Sequence, residues 1–257
     1  MVGRWWQQWR ARREQQAVAR RAIPDDLWKR TLVRFPFLRR QDPAAAAELR
    51  RLTSLFLDRK EFAAAGGLRL TDAVVVSIAA QAVLPVLRLG LELYDDFVGI
   101  VVHPDEVLAH REAADDEGLV HEYDEPLVGE AMPGGPVMLA WRAVRQAGAS
   151  EGFAFNVVIH EFAHKLDMND GLADGVPPLP PTLHRAAWEQ CLDESYKSFC
   201  ERMDTRQPSA LDPYGATSPG EFFAVASEAF FVLPEKLKGE HPALYEMFAL
   251  YYRQDPA

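Results

Sequence analysis

Apolar residues recur along this chain in two rhythms. In "PAAAAELRRLTSLFLDRKEF", Leu49, Leu52, Leu55, Phe56 and Phe62 fall on the spacing of one helix face, after a start at Pro43. Gly66 and Gly67 interrupt that pattern. Thr71 is then placed to cap a second helix, "AVVVSIAAQAVLPVLRLGL", which Pro85 ends or kinks. The rhythm changes at residues 97–104, where "FVGIVVHP" is a short β-branched run. "LVHEYDEPLVGEAM" and "GPVMLAW", separated by "PGG", predict further strands. Helical spacing returns over residues 154–168. It appears again over 182–203, with Trp188, Leu192, Tyr196 and Phe199 as the apolar stripe, then in "EFFAVASEAFFV" and "PALYEMFALYYRQ". "NDGLADGVPPLPP" and "DTRQPSALDPYGATSPG" are loops by composition. No linker-like stretch divides the chain. The expected fold is α+β, mainly helical with a small β-sheet, forming a single domain over 1–257 with a basic helical N-terminal segment at about 1–65.

Composition narrows the function. The chain has 257 residues, 48% hydrophobic and 26% charged, with a formal net charge of −10. Such a surface repels phosphate backbones, so direct nucleic-acid binding is not expected. The charge is uneven: residues 1–40 carry a local +8 and the remainder −18. A basic N-terminal arm docked on its own acidic body accounts for this asymmetry; a partner-binding surface, or a membrane-surface helix in "RWWQQWRARR", are sharper alternatives. Cys191 and Cys200 are too far apart along a helix to pair locally and suit a reducing, cytoplasmic setting. The N-terminus has no apolar stretch of the kind that marks a secretory signal. The longest apolar run is broken by Gln81, Pro85 and Arg88, so no membrane span is expected.

The chemistry concentrates in "VVIHEFAHKLD", residues 157–167. On a helix, His160 and His164 stand one turn apart on the same face and can direct two ring nitrogens at one ion. Zinc accepts imidazole and carboxylate in a tetrahedral site. Glu161 is rotated by about 100° from His160. It is better placed to take a proton from a coordinated water, whose pKa zinc lowers toward ~7, than to bind the ion itself. This is the H-E-x-x-H logic of metallopeptidases. The bland alternative is a pair of surface histidines. Val157, Val158, Ile159, Phe162, Ala163 and Leu166 argue against it, because buried imidazoles and carboxylates need partners.

A catalytic zinc requires a third protein ligand. Asp167 shares the histidine face but is too local to complete a tetrahedron, and is better suited to orienting a ligand. Glu221 and Glu228 lie seven apart, on one face of the "EFFAVASEAFF" helix. "SPGE", residues 218–221, also reads as a capping box that would turn Glu221 back on Ser218. Local rules leave the choice between Glu221 and Glu228 open.

"LTDAVVVSIAAQAVLPVLRLGL", "VVIHEFAHKLDMNDG", "GVPPLP" and "DPYGATSPGEFFAVASEAFF" occur together and in the order found in the Mlc titration factor A family of bacterial zinc peptidases. The chain resembles that family over nearly its whole length, most firmly over residues 68–235. The family's catalytic core is similar to that of the anthrax lethal factor protease, in which a tyrosine stands seven residues before a ligand glutamate that opens an E-F-F-A run. Tyr214 and Glu221 have that spacing here, and "EFFA" begins at Glu221. The resemblance implies Glu221 as third ligand of one zinc per chain, and Tyr214 as the group that stabilises a developing oxyanion. Where the toxin has an acid four residues after its ligand glutamate, this chain has Val225, which leaves Glu228 as the acid available for that duty. The resemblance further implies aminopeptidase-like activity on peptide substrates, and binding to Mlc, a repressor of glucose-uptake genes. "EPLVGEAMPGG" is a candidate edge for an extended peptide, with Glu130 available to a substrate ammonium. A regulatory binding module with a mainly structural zinc is the competing reading. It is the weaker one, since no nearby Cys or His is available to close the fourth position; His184 is the nearest.

Overall fold

The structure is a computed structural model that describes residues 2–114, 120–150 and 152–257, with side chains described except at 2–8, 109–126 and 149–150. The chain opens with three helices, α1 (Val2–Arg20), α2 (Asp25–Arg34) and α3 (Pro43–Arg59). Asp42 caps α3 by accepting from the backbone N–H groups of Ala44 and Ala45. α1 lies along α3, where Arg20 pairs with Asp58 at 3.0 Å and Glu14 with Arg51 at 3.1 Å. The first pair sets a base of α1 on an acid of α3 and the second the reverse; such largely exposed pairs contribute little individually.

The helix expected to run through Phe62 stops at Arg59. Lys60 turns inward, its ammonium donating to the carbonyls of Tyr94 and Phe97, and the chain continues as strand β1 (Glu61–Ala64). After α4 (Asp72–Val83), capped by Thr71, come β2 (Gly99–His103), β3 (Val107–Ala114), β4 (Val120–Leu127), β5 (Gly129–Ala131) and β6 (Val137–Ala140). The strand expected from Leu119 is thus seen as two; Leu119 itself lies outside the described residues. Four strands form a mixed sheet in the order β1-β2-β6-β5. β1, β2 and β6 run parallel, with Phe62 opposite Ile100 and Val102 opposite Leu139. β5 is antiparallel to β6 and forms one edge of the sheet. β3 and β4 make a separate two-stranded ribbon.

The short α5 (Trp141–Gln146) leads to a small ribbon of β7 (Gly148–Ser150) and β8 (Phe153–Phe155). The helix expected from residue 154 therefore begins later, as α6 (Val157–Asp167). α7 (Arg185–Asp204), α8 (Pro219–Val232), α9 (Pro234–Glu240) and α10 (Pro242–Tyr252) complete the chain. The architecture is α+β and mainly helical. No helix among the described residues is long and apolar enough to cross a membrane.

α8 is apolar nearly all round and correspondingly buried from Phe222 to Val232. It packs against α6, α7, α9 and α10. Beneath it Trp188 stacks on Phe248, with ring centres 5.7 Å apart. A second aromatic group lies under α6, where Phe162 meets Tyr94 edge-on at 5.0 Å and also touches Phe56 and Phe97. These rings pack against the two helices, each pair adding about 0.5–1.5 kcal/mol beyond its buried area.

Candidate metal centre

The start of α6 is set by Asn156. Its side-chain oxygen accepts from the Ile159 N–H at 3.0 Å, as an N-cap does, while its amide donates to Gln81 of α4 at 3.0 Å. The backbone N–H of Asn156 donates to the Glu228 carboxylate. Three elements are thereby tied at the point where the motif helix begins. Val158, Ile159, Phe162 and Ala163 face the interior, so His160 and His164 are carried to the floor of an open cleft.

α8 supplies the opposite wall. Ser218 caps it by accepting from the Glu221 N–H at 3.2 Å, so half of the capping box forms. The other half does not: the Glu221 carboxylate turns to the histidines. Its Oε2 stands 3.0 Å from His160 Nε2 and 3.2 Å from His164 Nε2, and the two ring nitrogens are 3.2 Å apart. In a tetrahedral zinc site with bonds of ~2.0–2.1 Å, donor atoms stand roughly 3.3–3.4 Å from one another. The observed triangle is within a few tenths of an ångström of that, and its donor set of two imidazoles and one carboxylate suits zinc. Among the described residues, this is the one group of three or more His, Cys, Asp or Glu side chains able to converge on an ion.

The carboxylates around this triangle favour positive charge at its centre, whether a proton or a cation. Glu228 Oε1 lies 2.8 Å from His160 Nδ1. A ring that donates from Nδ1 in its neutral form carries a lone pair on Nε2. That lone pair would face the Glu221 oxygen, an arrangement that needs a proton or a metal between them. Burial disfavours a charged His160, yet the Glu221 and Glu228 carboxylates more than offset it and lift its pKa well above the ordinary value. Burial also pushes Glu221 upward, but the two imidazoles outweigh it and hold this carboxyl far below the usual range. His164 moves down, chiefly through burial, with His160 adding to the effect. Glu228 moves up because it is buried. Glu161, also buried and surrounded by Glu221, Glu228 and Glu130, is raised to about 8.

The cleft encloses about 480 Å³. Glu161 and Glu130 line it, with Glu130 on edge strand β5. Tyr214 sits across the mouth in a short 3-10 turn whose entry Asp212 caps, accepting from the Tyr214 N–H at 2.9 Å. Its ring centre is 6.1 Å from that of His160, and the residue is 48% exposed. The structure thus brings together His160, Glu161, His164, Tyr214, Glu221 and Glu228. Asp167 bonds the backbone N–H of Gly175 at 2.8 Å and fastens the loop that follows α6. His184 is exposed, just before α7. Asn156 and Gln81 escaped sequence reasoning. The available signal was a polar residue inside an apolar run in each case, since a buried amide needs a partner.

The chain matches the model of the family described as glucose-regulated metallo-peptidase M90 over residues 6–253. It is 43% identical over 192 residues to Mlc titration factor A of Edwardsiella ictaluri, covering 74% of this chain and 72% of that protein. It is 38% identical over 232 residues to Mlc titration factor A of Klebsiella pneumoniae, covering 89% and 86%. A protein of Synechocystis sp. is 34% identical over 253 residues, or 98% of this chain and 90% of its own length. With a family match that leaves out only a few residues at either end, and relatives aligned over most of their own lengths, this chain belongs to the glucose-regulated metallo-peptidase M90 family.

Proposed function

We propose that the chain is a zinc-dependent peptidase, aminopeptidase-like in its action on peptides, with Glu161 as general base. The observation that carries this reading is the triangle of His160 Nε2, His164 Nε2 and Glu221 Oε2 beside a buried glutamate on the next position of the same helix. These three residues would hold the ion, which when bound supplies Lewis acidity, lowering the pKa of water toward ~7 and polarising a substrate carbonyl.

The remaining steps belong to the chain. Glu228 accepts from His160 Nδ1 and so keeps Nε2 turned to the cleft as a donor of electrons; removing such partners typically costs about 10–100-fold in metal affinity. Glu161, which a neighbouring cation would return to its ionised form, takes the proton of the attacking water on its carboxylate and passes it to the leaving amine. The Tyr214 hydroxyl donates a hydrogen bond to the carbonyl oxygen as charge grows there. The edge of β5 offers main-chain N–H and C=O groups to an extended peptide. Glu130 on that edge would pair with a peptide's N-terminal ammonium, favouring exopeptidase action.

The test is Glu161→Gln. Zinc content and thermal unfolding should match wild type, while hydrolysis of a quenched-fluorescence peptide library falls by at least about 100-fold. Hydrolysis at the wild-type rate would overturn the mechanism.

The names of the relatives favour a second role, binding of the repressor Mlc. A net charge of −10 is compatible with acting on a repressor by holding the protein and not by touching DNA. Co-elution of purified Mlc with this chain would support that role, and separate elution at micromolar concentrations would refute it.

A further inference from the structure

We propose that Gly129 and Lys165 are positioning residues for hydrolysis, because together they fix the β5–β6 hairpin on the helix that carries the base. The inference rests on the peptidase reading above and deepens it. α6 would hold two metal ligands, the base, and the anchor of the strand that presents substrate.

Gly129 opens β5 and pairs with Leu139 of β6. It is not among the residues with positive φ, so its backbone does not demand glycine. Space does. A methyl group at this position would fall inside contact distance of Glu161 Oε1, 2.8 Å from Glu161 Cγ and 2.7 Å from Val157 Cγ2. Glu161 is only 4% exposed and Val157 only 2%, so a methyl here would force the Glu161 side chain to shift within packed surroundings or toward the cleft. The edge strand therefore lies directly against the base, and the missing side chain sets where the Glu161 carboxylate rests.

Lys165 holds the other end of the same strand. It follows His164 on α6, yet its side chain is fully buried. Nζ donates to the carbonyls of Met132 at 2.9 Å and Gly135 at 3.3 Å, and pairs with Asp96 at 2.7 Å. Met132 and Gly135 belong to the turn that joins β5 to β6, itself closed by Gly135 N–H donating to the Met132 carbonyl at 3.0 Å. A lysine this deep is tolerable only with such partners, and removing it would leave a carboxylate and two carbonyls short of a donor. β5 has three residues, so contacts at both of its ends leave it little freedom to slide relative to Glu161.

The two anchors should leave different kinetic marks on the peptide that wild type cleaves fastest from a quenched-fluorescence library. Gly129→Ala displaces the base and should lower kcat about 100-fold, with KM within about twofold and zinc content unchanged. Lys165→Met loosens the substrate edge and should raise KM about tenfold, with kcat within a few fold. Lys165→Arg keeps a charge for Asp96 but pushes the turn outward, and should move KM in the same direction if the Met variant fails to fold. A readout independent of activity is the thermal unfolding of Gly129→Ala, Glu161→Ala and the double variant. The destabilisation caused by Gly129→Ala should shrink in the Glu161→Ala background, because the carboxylate it collides with is gone. Additive unfolding shifts, a Gly129→Ala effect confined to KM, or loss of zinc from that variant would each overturn the proposal. If wild type cleaves no peptide, the peptidase reading fails while the unfolding cycle still reports on the contact.

Discussion

The first and third turns of α8 each bring one glutamate to His160, and they do so with opposite consequences. Glu221, in the first turn, approaches Nε2 from the cleft side and keeps a side chain 23% exposed. Glu228, two turns further along, approaches Nδ1 from the interior and is 4% exposed. The first is held strongly acidic by two imidazoles, and the second is pushed upward by burial. The helix N-terminus, with its unsatisfied N–H groups, adds to the preference for a negative charge at Glu221. The same residue type on the same face thus suits a ligand at one depth and an orienting acceptor at another. Depth below the cleft surface, and not helical phase, separates the two roles.

The sharpest way to break this contrast is to remove each acid in turn. Glu221→Ala should lose stoichiometric zinc after dialysis and, with it, all measurable hydrolysis, because a three-ligand site reduced to two holds the ion weakly. Elemental analysis checks it; full zinc retention would reverse the assignment. Glu228→Gln should have the next largest effect, weakening zinc by about 10–100-fold in chelator competition, with hydrolysis recovered by excess zinc. If Glu228→Gln proves more damaging than Glu221→Ala, the depth argument fails. Tyr214→Phe should leave zinc affinity unchanged while lowering kcat by about 100-fold, as expected when one oxyanion donor is lost; steady-state kinetics on the best-cleaved peptide decide this.

The smallest effect concerns the support of α8's first turn. The loop fastened by Asp167 runs against that turn: a methyl at Gly175 would stand 2.8 Å from the Pro219 carbonyl. Asp167 is buried, and burial lifts its pKa from 3.8 to about 7. The folded protein therefore binds this proton more tightly than the unfolded chain does. The stability it contributes is fully present below about pH 4 and is lost as pH rises through about 7. Denaturant titrations between those limits should show wild type losing stability relative to Asp167→Asn as pH rises. Parallel curves would remove Asp167 from the argument.

How much of this was legible without coordinates depended on how local each feature is. Leu49, Leu52, Leu55 and Phe56 give α3 away because a helix face repeats within a few residues. His160, Glu161 and His164 were legible for the same reason. Lys60 was not. Its inward turn depends on the carbonyls of Tyr94 and Phe97, distant in sequence, and that turn is what converts the expected end of a helix into β1. β3 passed unseen because "VLAHREAA" lacks the alternation that marks a half-buried strand. The choice between Glu221 and Glu228 is a question of depth, which a helical repeat does not encode. Nothing local in the sequence marks Lys165 as buried, or Gly129, inside the predicted strand, as the residue that meets Glu161. Only their partners, Met132, Gly135 and Asp96 for one and Glu161 for the other, reveal this.

The most direct measurement is X-ray absorption at the zinc edge on the zinc-loaded full chain, compared with Glu221→Ala. The expected result is one zinc per chain bound by two imidazoles, one carboxylate oxygen and one exchangeable light atom, with the carboxylate contribution lost in the variant. A wild-type ion surrounded entirely by protein side chains, or a chain that stays metal-free when zinc is supplied, would contradict the central claim.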